Sequence, residues 1–193
     1  MRRIVGAVAT ATLLVLGLQP SEAGAAMLIR VAEDAAGVTF VGSGSVNLTG
    51  LTKVDSDIGV SSIDPGNSQI VVGGAVDFYG YPSIPGQFGA IGGPVFATSS
   101  SGDAFGLTFP FIGLPAGYVS GADLAFSLFF SGQTLDSLTL VTGSYVWSWG
   151  SGADADSVTL QIGAPGATVP EPASVALLGA GLLGIAGLRR RRR

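Results

Sequence analysis

Glycine interrupts this chain too often for long helices to survive: 31 of its 193 residues are glycine. Inside a helix each one costs about 1 kcal/mol relative to alanine, because glycine loses the most backbone freedom on folding. Charged residues make up only 11 % of the chain, too few for the polar faces of solvated helices. Serine, threonine and valine fill the stretches between glycines, and these residues suit short strands and turns.

The stretch from Ala26 to Thr168 follows that pattern. "VTFVGSGSVNL" alternates around a Gly-Ser break, and "SQIVVGGAVDFYG" reads as a hairpin about Gly73-Gly74. "AFGLTFPFIGL" puts Phe105, Leu107 and Phe109 on one face until Pro110 intervenes. The clearest period-two run is "ADLAFSLFFSG", with Leu124, Phe126, Leu128 and Phe130 on one side. "SLTLV", "GSYVWSWG" and "DSVTLQIG" read as further strands, whereas Gly80 to Gly93 has no period and reads as a long surface loop. Short strands at this spacing predict an all-β sandwich, jelly-roll-like.

Basic residues are confined almost wholly to the two ends. Arg2 and Arg3 open the chain and Arg189 to Arg193 close it, leaving only Arg30 and Lys53 between Ala26 and Val169. Eleven acids oppose those two bases, a net charge of −9 for the middle segment. Such a body is repelled by phosphate backbones, which argues against nucleic acid as a partner.

Both ends read as addresses. Arg2 and Arg3 precede an apolar run from Ile4 to Leu18, then Pro20, Ser21 and the small-residue pattern Ala23-Gly24-Ala25. That is the layout of a secretory signal peptide over residues 1–25, read by the Sec translocon and signal peptidase, with cleavage after Ala23 or Ala26 also open. At the other end, Ala173 to Leu188 is free of charge. As a helix it is about 24 Å long, and snorkelling arginines make up the remaining span of a single transmembrane helix. The Arg189, Arg190, Arg191, Arg192, Arg193 cluster stays on the cytoplasmic side and leaves the acidic body outside. Gly179-Ala180-Gly181-Leu182-Leu183-Gly184 spells a dinucleotide fingerprint, but no strand precedes it and arginines follow it.

Just before this span, Val169 and Glu171 each precede a proline and are pushed towards extended conformations, while Pro172 suits the first position of a helix. Val169-Pro170-Glu171-Pro172, the apolar span and the arginines together resemble the PEP-CTERM sorting signal of Gram-negative bacteria. The resemblance implies recognition by an exosortase, an integral-membrane, transpeptidase-like enzyme. After an inner-membrane intermediate, the tail is removed and the body goes to the cell surface or extracellular matrix. Such proteins occur typically in species that make exopolysaccharide, biofilm or floc. "GSYVWSWGSGADADSVTLQIG", Gly143 to Gly163, also resembles the close of the ectodomain in one set of these proteins. The implied order is a signal peptide over 1–25, a β-sandwich ectodomain over 26–162, a linker over 163–168 and the sorting signal over 169–193.

Chemistry is sparse. Cysteine and histidine are absent, so no thiol or imidazole can serve as nucleophile, base or metal ligand. Lys53 lacks the glycine-rich approach of a phosphate loop. Paired carboxylates remain, and glycoside hydrolysis needs two across a cleft; the acids here lie mostly near turns, which argues for a chain that is not an enzyme and needs no cofactor. Asp55 with Asp57 and Asp154 with Asp156 are candidate calcium ligands, because hard cations take carboxylate oxygens. The first pair departs from the helix-loop-helix calcium pattern at Gly59 and Gly66. Tyr145, Trp147 and Trp149 share one strand face and are candidates for stacking on sugar rings; the competing expectation is that they fill the core. The sequence thus points to a non-catalytic surface or matrix protein tied to exopolysaccharide. The alternatives are a carbohydrate- or calcium-binding sandwich module and a plain type I membrane-anchored protein.

Overall fold

A computed structural model describes residues 26–163, apart from 81, 82, 84, 85 and 91. In chain order the strands are β1 (Ala26–Asp34), β2 (Gly37–Ser45), β3 (Thr52–Gly59), β4 (Ser62–Asp64), β5 (Gln69–Val72) and β6 (Gly74–Gly80). They continue with β7 (Val95–Phe96), β8 (Ser99–Gly102), β9 (Phe105–Thr108), β10 (Phe111–Pro115), β11 (Asp123–Ser131), β12 (Gly143–Trp149) and β13 (Asp156–Ile162). A six-stranded sheet runs β12-β13-β1-β2-β11-β8, and a seven-stranded sheet runs β3-β6-β10-β9-β5-β4-β7.

Alternation explains why these strands make a sandwich. Met27, Ile29 and Val31 of β1, Val38 and Phe40 of β2, and Leu124, Phe126, Leu128 and Phe130 of β11 are all buried. Opposite them lie Ile63, Ile70, Leu107 and Ile112, which form one buried row across the seven-stranded sheet. The two inner faces meet where the rings of Phe105 and Phe126 stack at 4.9 Å. Phe126 lies over Gly42, its partner on β2, where a Cβ would come within 2.4 Å of the ring. That glycine is required by packing, and the ring fills the space it leaves.

The first hairpin is set by Asp34, whose Oδ1 accepts from the backbone N–H groups of Ala36 and Gly37. Elsewhere the connections differ from those expected. β5 and β6 are not a hairpin: the β9–β10 hairpin lies between them in the sheet. Gly74 continues the chain past Ala104 at positive φ, rather than reversing it. "SLTLV" is a turn, not a strand, because Leu140, Thr139 and Leu138 close backbone bonds on Leu135, Asp136 and Thr134. Leu138 and Leu140 are buried all the same.

The 80–93 segment is not wholly a surface loop. Phe88 is fully buried against Tyr145 and Trp147, and its carbonyl accepts from Val141 N–H at 2.9 Å. The sandwich itself is as expected, while the jelly-roll detail meets a departure. β1 and β13 pair in parallel at the middle of the six-stranded sheet, whereas a jelly roll is built from antiparallel strands.

Candidate functional site

The outer face of the seven-stranded sheet carries a groove of ≈ 720 Å³. Its floor follows from register. One cross-strand row runs Asp55, Phe78, Gly113, Gly106, Val71, Ser62, Phe96 from β3 to β7. The two central glycines are buried and make room for the Phe78 ring, which packs over them: a Cβ on Gly113 would meet that ring at 3.0 Å and one on Gly106 at 3.6 Å. The next row contains Phe111, Thr108, Gln69 and Asp64. Phe111 packs against Phe78 at 6.4 Å, while Gln69 Nε2 donates to Thr108 Oγ1 at 3.0 Å.

Phe96 and Phe109 remain 63 % and 59 % exposed. Phe109 was expected to continue the inner face of β9. Instead β9 ends at Thr108, and Phe109 sits in the turn at the groove wall. A second depression of ≈ 560 Å³ adjoins the first and shares Gln69, Thr108 and Phe109 with it.

A bulge decides where the charges go. Lys53 pairs with Tyr79 and Asp55 with Phe78, so Val54 is an extra residue on β3. Strict alternation puts Lys53, Asp55 and Asp57 on one face; the bulge sends Lys53 inward and the two acids outward. On the inner side Lys53 Nζ meets Asp77 Oδ1 at 2.8 Å. Asp77 also accepts from Ser56 Oγ at 2.8 Å and Gly117 N–H at 3.0 Å. These bonds, the Lys53 ammonium first, lower its pKa to about 2. On the outer side Asp55 and Asp57 line the groove; among the described residues they accept from the adjacent backbone N–H groups of Ser56 and Ile58 and have no cation within ion-pair distance.

The other candidates are placed differently. Trp147 and Trp149 are 1 % and 3 % exposed, so neither offers a ring to a sugar. The Trp149 indole N–H donates to the Asn47 carbonyl, and Tyr145 is half-buried with its hydroxyl on the Val141 carbonyl. The competing expectation, that these rings fill the core, is the one observed. Asp156 is buried and serves as an anchor: its two oxygens each accept at 2.6 Å, from Asn47 and Ser157 N–H. Burial raises its pKa despite those bonds. Asp154 is exposed in a one-turn 3-10 helix. Among the described residues no three acidic side chains come together in a way that could hold a metal ion. Sequence reasoning missed the groove; its one local signal was the Phe-Pro-Phe at 109–111.

Ala23, Ala25, Val169, Pro170, Glu171, Pro172 and the arginine cluster lie outside the described residues. Among the described residues no helix is long and apolar enough to cross a membrane. Comparison with protein families matches residues 168–192 to the PEP-CTERM protein-sorting motif. The chain carries a PEP-CTERM sorting tail. Comparisons with curated proteins and with solved structures gave no match. The PEP-CTERM motif implies an exported protein that an exosortase processes at a membrane on the way to the cell surface. The last strand of the body ends at Ile162, six residues before the PEP-CTERM match begins.

Proposed function

We propose that this is a non-catalytic surface or extracellular-matrix protein, exported through its signal peptide and released to the surface when an exosortase cuts the PEP-CTERM tail. The observation that carries the reading is the motif at residues 168–192, following directly on a β-sandwich body. In this reading the span over 173–188 is a transient inner-membrane anchor with the arginines on the cytoplasmic side. The body is then a ligand-free scaffold or a glycan-binding module of the exopolysaccharide matrix. A non-catalytic role is supported by the lack of His and Cys and by the unclustered acids. The inner-face acid Asp77 is engaged by Lys53, which suits a structural role.

The test is the intact mass and C-terminal peptide of the mature protein from its native envelope. A chain ending within 169–172 is the expected result. A mature chain that still carries 173–193 overturns sorting and leaves a plain type I anchor.

A further inference from the structure

We propose that the outer groove of the seven-stranded sheet binds an amino-sugar polymer, a glycan whose rings carry free, protonated amines. This rests on the reading that the mature body meets an extracellular matrix, and it names the ligand chemistry that the groove selects.

Three features converge on that class. First, the bulge at Val54 separates Lys53 from Asp55 and Asp57, leaving two carboxylates beside Phe rings without a cation among the described residues. Carboxylates and aromatic faces both attract an ammonium group, whereas an anionic ligand is repelled by the rim and by the −9 body. Second, the partly exposed Phe78 and Phe111 rings, 6.4 Å apart, offer apolar surface to the C–H face of a ring. Third, the polar groups next to it are side chains with hydrogen-bonding capacity left over. Gln69 uses one amide N–H on Thr108, so its carbonyl, its second N–H and the Thr108 hydroxyl hydrogen remain for sugar hydroxyls.

Two further points narrow the class, one against a basic peptide and one against a single small molecule. The groove lies on the face of a sheet whose strands are already paired on both sides at β10, β9, β5 and β4. A peptide laid there leaves its own N–H and C=O groups without backbone partners, at a cost in desolvation. A sugar ring has no such groups. The adjoining depression, which shares Gln69, Thr108 and Phe109, prolongs the track and suits a chain of rings over a single small molecule.

The experiment is titration calorimetry of the full chain in detergent, at a pH that keeps sugar amines protonated. The probes are a glucosamine hexamer, an N-acetylglucosamine hexamer, an oligogalacturonate and a lysine hexapeptide. The glucosamine hexamer should bind about tenfold more tightly than its acetylated counterpart, the gain expected from two exposed charge contacts. The oligogalacturonate should not bind. The D55N/D57N double variant should bring the two hexamers to equal affinity, and Phe111→Ala should weaken both. Asp55 and Asp57 are exposed, so an unchanged melting temperature of the double variant shows that its fold is intact. Equal binding of the two hexamers by the unaltered protein, or no binding of either, overturns the proposal. A lysine hexapeptide that binds as tightly, with the same response to D55N/D57N, overturns it in favour of a basic peptide. The C-terminal mass is read separately, so a retained tail with intact glucosamine binding refutes the sorting route and leaves the groove standing.

Discussion

Both sheets send aromatic rings into the core, but the seven-stranded sheet also gathers four of them in a groove on its outer face. In the six-stranded sheet Trp147 and Trp149 face inward, and the Phe88 ring from a loop packs against Trp147. In the seven-stranded sheet Phe78, Phe96, Phe109 and Phe111 line an open groove on the outside. The outer face of the six-stranded sheet carries the half-buried Phe129 ring and Val41 alongside Ser101 and Ser127, whose hydroxyls are 2.9 Å apart. Aromatic content alone therefore does not mark a binding surface. What distinguishes the groove is that its rings stand where the sheet has no further layer to meet.

The largest expected effect breaks that comparison most directly. Trp147→Ala removes a buried ring and should cost about 3 to 5 kcal/mol of stability, read as a shift in the denaturant midpoint. Phe109→Ala removes a mostly exposed ring and should change stability by no more than about 0.5 kcal/mol. Comparable losses from the two variants mean that Phe109 is part of a core and the groove is closed in solution.

The sandwich was readable because the inner faces of β2, β11 and β13 keep strict period two, and one misplaced residue there would expose a whole row. Pairing was less readable. Gly73-Gly74 resembles a hairpin turn, yet β5 and β6 take the β9–β10 hairpin between them, a choice made by contacts distant in sequence. The Trp face was identified correctly, but its direction depended on Phe88, which lies in a segment without any period. The groove was invisible for a related reason. A bulge is one extra residue, and in "KVDSD" nothing local says that Val54 is the one left out of register. The sorting motif needed no tertiary information, since its parts are contiguous in sequence.

Gly89→Ala sharpens the role of the loop that covers the tryptophans. A Cβ there would approach both the Thr139 carbonyl oxygen and Pro65 Cβ to 2.4 Å. Overpacking of this kind costs about 1 to 3 kcal/mol. Near-UV circular dichroism should change along with the melting temperature, because the bonds holding Phe88 against Trp147 run through the same turn. A melting temperature equal to that of the unaltered protein means that the loop does not hold Phe88 in place.

The Asp-x-Asp pair near the C-terminal end of the body gives a smaller contrast. Asp156→Ala leaves the Asn47 and Ser157 N–H groups without their acceptor and should cost about 1 to 3 kcal/mol. Asp154→Ala should stay within about 0.5 kcal/mol. If added millimolar calcium raises the melting temperature of the unaltered protein but not of the Asp154 variant, the two aspartates act together on a cation and the anchor reading of Asp156 fails.

The smallest effect is in the acid limb of the stability curve, where the two buried acids Asp77 and Asp156 should act in opposite senses. Asp77 has a folded pKa of about 2, below its ordinary 3.8. Its ionised form therefore favours folding above the ordinary value, and that contribution disappears as pH falls from about 4 towards about 2. Asp156 is shifted the other way by burial: the folded state holds its proton more tightly, so ionisation works against folding as pH rises through the raised value. Asp77→Asn should flatten the loss of stability in acid, and Asp156→Asn should steepen it. Lys53→Gln should reproduce the flattening, because the Lys53 contact is the largest cause of the Asp77 shift. If Lys53→Gln leaves the limb as steep as in the unaltered protein, Lys53 does not hold Asp77, and the charge separation on which the groove depends does not exist.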